Sequence, residues 1–593
     1  MENNKNERKG KGLIIFLAII FVLIICGLGL MLWKGQGASD SEEFDAYIDD
    51  LFKENIEANT INLHYTLAYP ENYGITDYEV TLGNYSTDNV DEVYQELEDM
   101  KQELLKFDPS KLTDDQRLTY DILLDYVETE LSVKDLTYYD EWLGAITGYQ
   151  AQLPIVLAEY TFRTEKDIQD YLELISQIDE MYEEIMVFEE EKSEAGLFMP
   201  DYVADDVIAQ CEEFIADPEE NYMIEIFNDK IEDFEGLTDE EKEAYINENY
   251  DIITTQVVEG YQTLIDGLTE LKGSGTNELG LCYYEDGKEY YKYLVRTGTG
   301  SDDSIKKLQK KVESFMTDRL TRAHMIIMED PEVYQDFVDY EYEMSDPVEI
   351  VEDLMVKTQQ DFPEPPQVDY TIKYVHPSMQ EHLSPAFYLT TPIDDLQNNL
   401  IYINEKYAGE GTNIYSTLAH EGYPGHLYQN AYTNSSGIAP IRNLFSYSGY
   451  TEGWATYVEF EYSYDYMGMS EELADVTSIN NAISLGLYAY ADMGIHYDGW
   501  DRDDLAEYLL SYGIEDEEVT NEVFDALVEE PANYLSYFIG YLEFVDLKEE
   551  AQKELGDDFD VKEFHKFLLE TGPAPFYIIE DYMEEWIAGQ FVS

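Results

Sequence analysis

The chain has 593 residues, room for several domain-sized units, and sets 35 Lys and Arg against 128 Asp and Glu, a net charge of −93 at pH 7. Hydrophobic residues make up 44% and aromatics 14%, so large cores are available and disorder does not follow from the charge, while the shortage of clustered Lys and Arg argues against a nucleic-acid surface. Three Cys are too few for a disulfide scaffold and lack the spacing of a thiolate zinc site.

Residues 13–33 contain no charge, and these 21 residues match the ~20 that a helix needs to cross a bilayer. Lys5, Arg8, Lys9 and Lys11 precede them. The positive-inside rule then predicts a cytoplasmic tail (1–12), a single transmembrane helix (13–33) and an extracellular remainder anchored at the cell membrane. The first 34 residues hold five basic and two acidic side chains, a net of +3, which leaves −96 for the rest. A cleaved signal peptide is the competing reading, with small residues at 35–39 as its cleavage region. Cys26 follows the bulky Ile25, where a lipidated cysteine follows a small residue. The acidic surface reads as a solvated shell that keeps an exported protein soluble.

After a linker (34–41) the pattern is mostly helical. Val93, Leu97, Met100 and Leu104 share one helix face. Thr164 with Asp167 resembles a capping box and opens a run of Ile168, Leu172, Ile175, Ile178, Met181, Tyr182 and Ile185 at helical spacing. Ile305, Leu308, Val312 and Phe315 repeat the pattern. Strands are expected at 386–391 and 399–404, separated by a turn-like Pro392-Ile393-Asp394-Asp395. A soft boundary near 275 divides an N-terminal helical region (42–275) from a second helical region (276–593) that holds the chemistry. No internal repeat stands out.

The chemistry concentrates in Ser416 to Gln429, STLAHEGYPGHLYQ. Helix-borne zinc sites use His-Glu-x-x-His, because two His four apart differ by only ~40° around a helix and the Glu reaches the water. Here His420 and His426 are six apart, roughly 240° around an ideal helix. Pro424 forbids a regular helix, and Gly422 and Gly425 permit unusual backbone. The expectation is a two-residue bulge that returns His426 to the face of His420. The bland alternative is a helix end with two unrelated histidines.

Downstream, GYTEGWATYVEF begins at Gly449. Glu452 is a natural carboxylate ligand, and Glu459, seven residues on, is placed to support a ligating imidazole. An acid on a helix as apolar as Gly453-Trp454-Ala455 needs a partner, and a metal ion would serve. His496, in Asp492-Met493-Gly494-Ile495-His496, and Tyr537, in PANYLSYFIG, are candidates to hydrogen-bond an oxyanion, or equally satisfied core residues. His565 reads as structural.

HEGYPGH followed by EGWATYVE resembles the bacterial domain-of-unknown-function family number 885, which looks like a divergent branch of the gluzincin zinc metallopeptidases. The likeness extends through 281–296, the strand region 387–404, and the segments around Asp492, Pro531 and Glu563, in the same order. It implies a mainly α, gluzincin-like helical fold with a small β-sheet beside the active-site helix. It also implies Zn²⁺ bound by His420, His426 and Glu452, Glu421 as general base, and His496 and Tyr537 in supporting roles. Two departures bear on substrate recognition: no Arg lies in 488–491, and Asn533 stands where Gln is common.

The reaction so expected is hydrolysis of peptide bonds by a metal-activated water, with an edge strand within 386–404 aligning an extended peptide. The alternatives are an inactive tethered binding protein on a peptidase scaffold and an amidohydrolase for non-peptide amides. Substrate identity, endo- or exo-action and oligomeric state leave no mark in the sequence.

Overall fold

The computed structural model describes residues 39–590, apart from 341, 343, 381–382, 408–413 and 446. The expected tail (1–12) and membrane span (13–33) lie outside the described residues. Among the described residues no helix is long and apolar enough to cross a membrane.

The described chain is mainly helical. Helix α1 (Asp40–Glu57) starts on a Ser39 capping box with Glu42, inside the expected linker, and buries Phe44, Ile48, Leu51 and Phe52 along one stripe. Helix α2 (Val90–Leu104) buries Leu97, Met100 and Leu104 as the spacing predicts. Helix α3 (Asp114–Leu131) packs beside it.

The run opened by Thr164 is two helices rather than one, α4 (Glu165–Ile175) and α5 (Ile178–Glu194). At the break the Gln177 side chain donates to the Val80 carbonyl (2.9 Å) and accepts from the Leu82 N–H (3.3 Å), tying the junction to a neighbouring loop. The apolar spacing passes through the break, which is why the sequence reads as continuous. Helices α6 (Gly287–Thr299) and α7 (Ile305–Glu329) follow, and Ile305, Leu308 and Val312 are buried.

A three-stranded sheet has the order β1-β3-β2. Strand β3 (Asn399–Ile403) pairs in parallel with β1 (Tyr370–Tyr374) and antiparallel with β2 (Ala386–Leu389), in the register Tyr388 opposite Ile401. Strands β2 and β3 fall where expected, and β1 was not anticipated.

One hydrophobic core joins Phe44 through Val127 to Tyr291 through Ile587, so the first helices pack with the C-terminal part of the chain, across residue 275. A second core lies within residues 61–268. One face of the sheet packs into the large core through Ala386, Tyr388, Ile401 and Ile403; the other carries Phe387, Leu389 and Tyr402.

Candidate metal centre

His420 and Glu421 end helix α8 (Ile414–Glu421), and His426 begins α9 (His426–Ser435). The expected bulge is therefore a full break. Pro424 has no N–H to continue the ladder. Instead Gly425 N–H reaches back to the Ala419 carbonyl (2.9 Å) and Tyr428 N–H to that of Gly422 (3.1 Å). A Cβ on Gly425 would overlap the His420 carbonyl, so this approach requires glycine. Trp454 Nε1–H donates to the Pro424 carbonyl (2.9 Å) and fixes the corner from the next helix.

That helix, α10 (Ser448–Val458), carries Glu452. It crosses α12 (Asn533–Leu555), the helix of Tyr537, at three glycines. A Cβ on Gly540 would stand 2.9 Å from the Gly453 Cα and overlap the Gly449 carbonyl. Backbone thus meets backbone there, within one turn of both Glu452 and Tyr537. Helix α11 (Glu471–Met493) braces α12 from the other side: Asp492 accepts from the Tyr291 hydroxyl and from Ala532 N–H (3.0 Å) at the start of α12.

The result is a convergence of donors. One Glu452 oxygen lies 3.6 Å from His420 Nε2 and 3.4 Å from His426 Nε2. The two rings stand 85° apart with centroids 4.9 Å from each other. Ligand atoms of His420, Glu421 and His426 all lie within 4.8 Å of one another. Glu459, on the π-helical turn Glu459–Ser463 after α10, accepts from His420 Nδ1 at 3.2 Å, which turns Nε2 toward Glu452.

These residues fit a divalent metal. His420 Nε2 and the Glu452 oxygen facing it are both buried without a hydrogen-bond partner, which is costly unless something else binds them. Three ligands held tetrahedrally at about 2.1 Å would stand roughly 3.4 Å apart, and the separations of 3.4 and 3.6 Å from the Glu452 oxygen to the two imidazole nitrogens match. Three acids, Glu421, Glu452 and Glu459, share this space with two imidazoles, so a cation also meets the charge balance. Burial alone would lower the His420 pKa, but the surrounding carboxylates hold it well above the ordinary histidine value. Burial raises Glu452, yet the two imidazoles outweigh it and its pKa lies below the usual carboxylate range.

Glu421 points at the same space but is held differently. One of its oxygens accepts from the Tyr388 N–H of β2 at 2.8 Å. In this register that N–H faces away from β3, so the acid sits on the sheet's free edge. Burial raises its pKa against the pull of both imidazoles. Tyr537 is half-buried, and burial together with the Glu452 and Glu421 carboxylates pushes its pKa well above 10, so its hydroxyl stays protonated.

His496 is not part of the convergence. Its Nδ1 accepts from Leu281 N–H (3.1 Å), its Nε2 donates to the Leu527 carbonyl (2.7 Å), and its ring stacks on Tyr291. Burial pushes its pKa down to about 4. Both ring nitrogens are spent on backbone, so the expected donation to an oxyanion has no atom to make it. It lines a separate cavity of about 420 Å³ with Glu529 and Glu530. His565 is structural, bonded to the Asp361 carbonyl (2.8 Å) and the Tyr457 hydroxyl (2.9 Å). Sequence reasoning missed the Tyr388 amide and the Trp454 indole. A backbone amide leaves no signal in its own residue type.

A family model described as "Bacterial protein of unknown function (DUF885)" matches residues 70–583. No curated protein matches the chain. Among solved structures, a protein of Colwellia psychrerythraea provisionally described as a lipoprotein superposes with TM-score 0.80 at 19% identity, covering 93% of this chain and 100% of its own. One of Shewanella oneidensis, provisionally described as a lipoprotein of unknown function, gives TM-score 0.61 at 16% identity over 92% of this chain and 100% of its own. Both likenesses concern the fold.

Proposed function

We propose, for a chain that belongs to the bacterial family DUF885, a zinc-dependent peptidase activity of gluzincin type, tethered at the outer face of the cell membrane. The observation that carries it is the meeting of His420 Nε2, His426 Nε2 and one Glu452 oxygen at 3.4 and 3.6 Å, with two of these three atoms buried and unpartnered. His420, His426 and Glu452 would hold the metal. When bound, zinc supplies a Lewis acid that lowers the pKa of water from 15.7 to ~7 and polarises the scissile carbonyl.

The chain's own groups do the rest. Glu421 takes the proton of the attacking water on the oxygen that Tyr388 leaves free, then gives it to the departing amine. The raised Glu421 pKa suits a base that must also act as an acid. Tyr537, kept protonated, donates to the oxyanion that forms on the carbonyl. Glu459 holds the His420 ring through Nδ1.

The tether is supported by the uncharged residues 13–33 behind four basic side chains, and by the lipoprotein descriptions of the two fold relatives. The test of the activity is metal analysis and peptide hydrolysis beside Glu421→Gln. About one zinc per chain is expected in both proteins, with kcat reduced by ~10²–10⁴-fold in the variant. Full turnover in Glu421→Gln, or no zinc in either, would end this reading.

A further inference from the structure

We propose that Asn430 is a positioning residue for the general base, acting on Glu421 through the side chain and then the backbone of Tyr388. The catalytic role of Glu421 rests on the peptidase reading; the contacts that hold it do not.

Glu421 accepts a hydrogen bond from the Tyr388 N–H at 2.8 Å. Tyr388 is the third of only four residues in β2, and β2 pairs with β3 alone. The pairing stops one residue later, at Leu389 opposite Leu400. The sheet ladder by itself therefore gives this amide little support.

The support comes from the other end of the residue. The Tyr388 ring is buried in the large core, and its hydroxyl donates to Asn399 Oδ1 at 2.8 Å. Asn399 is fully buried at the start of β3, and its amide donates to the carbonyls of Leu396 (2.8 Å) and Asp369 (3.0 Å). With its one hydrogen committed, the hydroxyl accepts from Asn430 Nδ2 at 3.0 Å. The same amide faces the Thr391 hydroxyl at 3.3 Å, and Asn430 Oδ1 accepts from Asn434 Nδ2 at 2.9 Å. Both polar atoms of Asn430 are thus used, in a single orientation.

Position gives this chain of bonds its meaning. Asn430 lies four residues along α9 from His426, so the two share a helix face. One tyrosine then joins three parts: its amide holds the base on α8, and its hydroxyl is held by β3 and by the helix of a proposed metal ligand. A shift of α9 against β2 would move the amide that aims Glu421. Aim matters to a base, because a misplacement of ~1 Å can cost ~10²-fold in rate. A network that only stabilised the fold would lower stability and metal content together, whereas one that positions the base lowers kcat alone.

The experiment uses the full zinc-loaded chain, wild type beside Asn430→Ala. The variant is expected to keep about one zinc per chain and a KM within about twofold, while kcat falls about tenfold. Added to Glu421→Gln, the same substitution is expected to change the residual kcat by less than about twofold, since the group it aims is gone. An unchanged kcat, a kcat that falls only in step with zinc content, or a tenfold loss that persists in Glu421→Gln would overturn the role. Hydrogen exchange at the Tyr388 amide needs no turnover. It is expected to quicken about tenfold in Asn430→Ala, and an equal rate would also overturn the role. Should Asn430→Ala fail to fold, Tyr388→Phe, which removes only the shared hydroxyl, decides by the same readings. Faster exchange in a chain that cleaves no peptide would sink the peptidase reading and leave the hold on Glu421 standing.

Discussion

Two groups in this centre have no backbone partner of their own choosing: a buried imidazole nitrogen of His420 and the Glu452 oxygen that faces it. Beside them, Glu421 and Tyr537 divide the proposed chemistry, one moving a proton and the other stabilising charge. With His496 occupied on both nitrogens, Tyr537 is the remaining one of the two candidates for the proposed oxyanion donor. Tyr537→Phe is therefore expected to lower kcat about 10²-fold or more, with zinc content and KM little changed. Steady-state kinetics with metal analysis checks this, and an unaffected kcat would remove Tyr537 from the mechanism.

At the scale of elements, the centre depends on two pieces of backbone geometry. The break between α8 and α9 compensates the six-residue spacing of the histidines. The glycine crossing of α10 and α12 sets how near Glu452 comes to Tyr537. Gly540→Ala would drive a methyl into α10 and is expected to cost about 1–3 kcal/mol of stability and to weaken zinc retention. Denaturant unfolding and metal loss to a chelator would measure both; a variant equal to wild type would show that the helices have slack.

The same elements explain what the sequence discloses. His420, Glu421, His426 and Glu452 could be named because they sit in short motifs, and Pro424 with its flanking glycines announced that the helix could not continue. What stayed hidden is long-range. Strand β1 exists because β3 pairs with it, and its five residues follow a Pro-rich breaker that masks them. His496 looks reactive in its motif, but partners 215 and 31 residues away use up its ring. The α4–α5 break is imposed by a loop 95 to 97 residues upstream.

At the scale of the molecule, buried acids and buried imidazoles are unequal in number, and their titrations oppose each other. Burial raises Glu130, Glu189, Asp492 and Glu530 to about 7 and Glu529 to about 8. A carboxyl raised in the fold stabilises it at low pH and loses that contribution as pH climbs through the folded value. His64 and His496, lowered to about 4, and His565, lowered to about 3, act the other way, adding stability as pH rises toward 6.5. Below pH 6.5 the three imidazoles offset part of the loss from the five acids; above it only the acids remain. The thermal midpoint is expected to fall between about pH 6.5 and 8, helped by self-repulsion at a net charge of −93. A midpoint that rises or holds over that window would mean the acids are ionised in the fold.

One attachment crosses these scales. Glu421 belongs to a helix by its backbone and to the sheet by its carboxylate, through Tyr388. A guest segment docking as a fourth strand along β2 would tug on the very amide that steadies the proton acceptor. Arrival of the guest and aim of the base would then be mechanically interlocked, as a key both fills a keyway and lifts the pin.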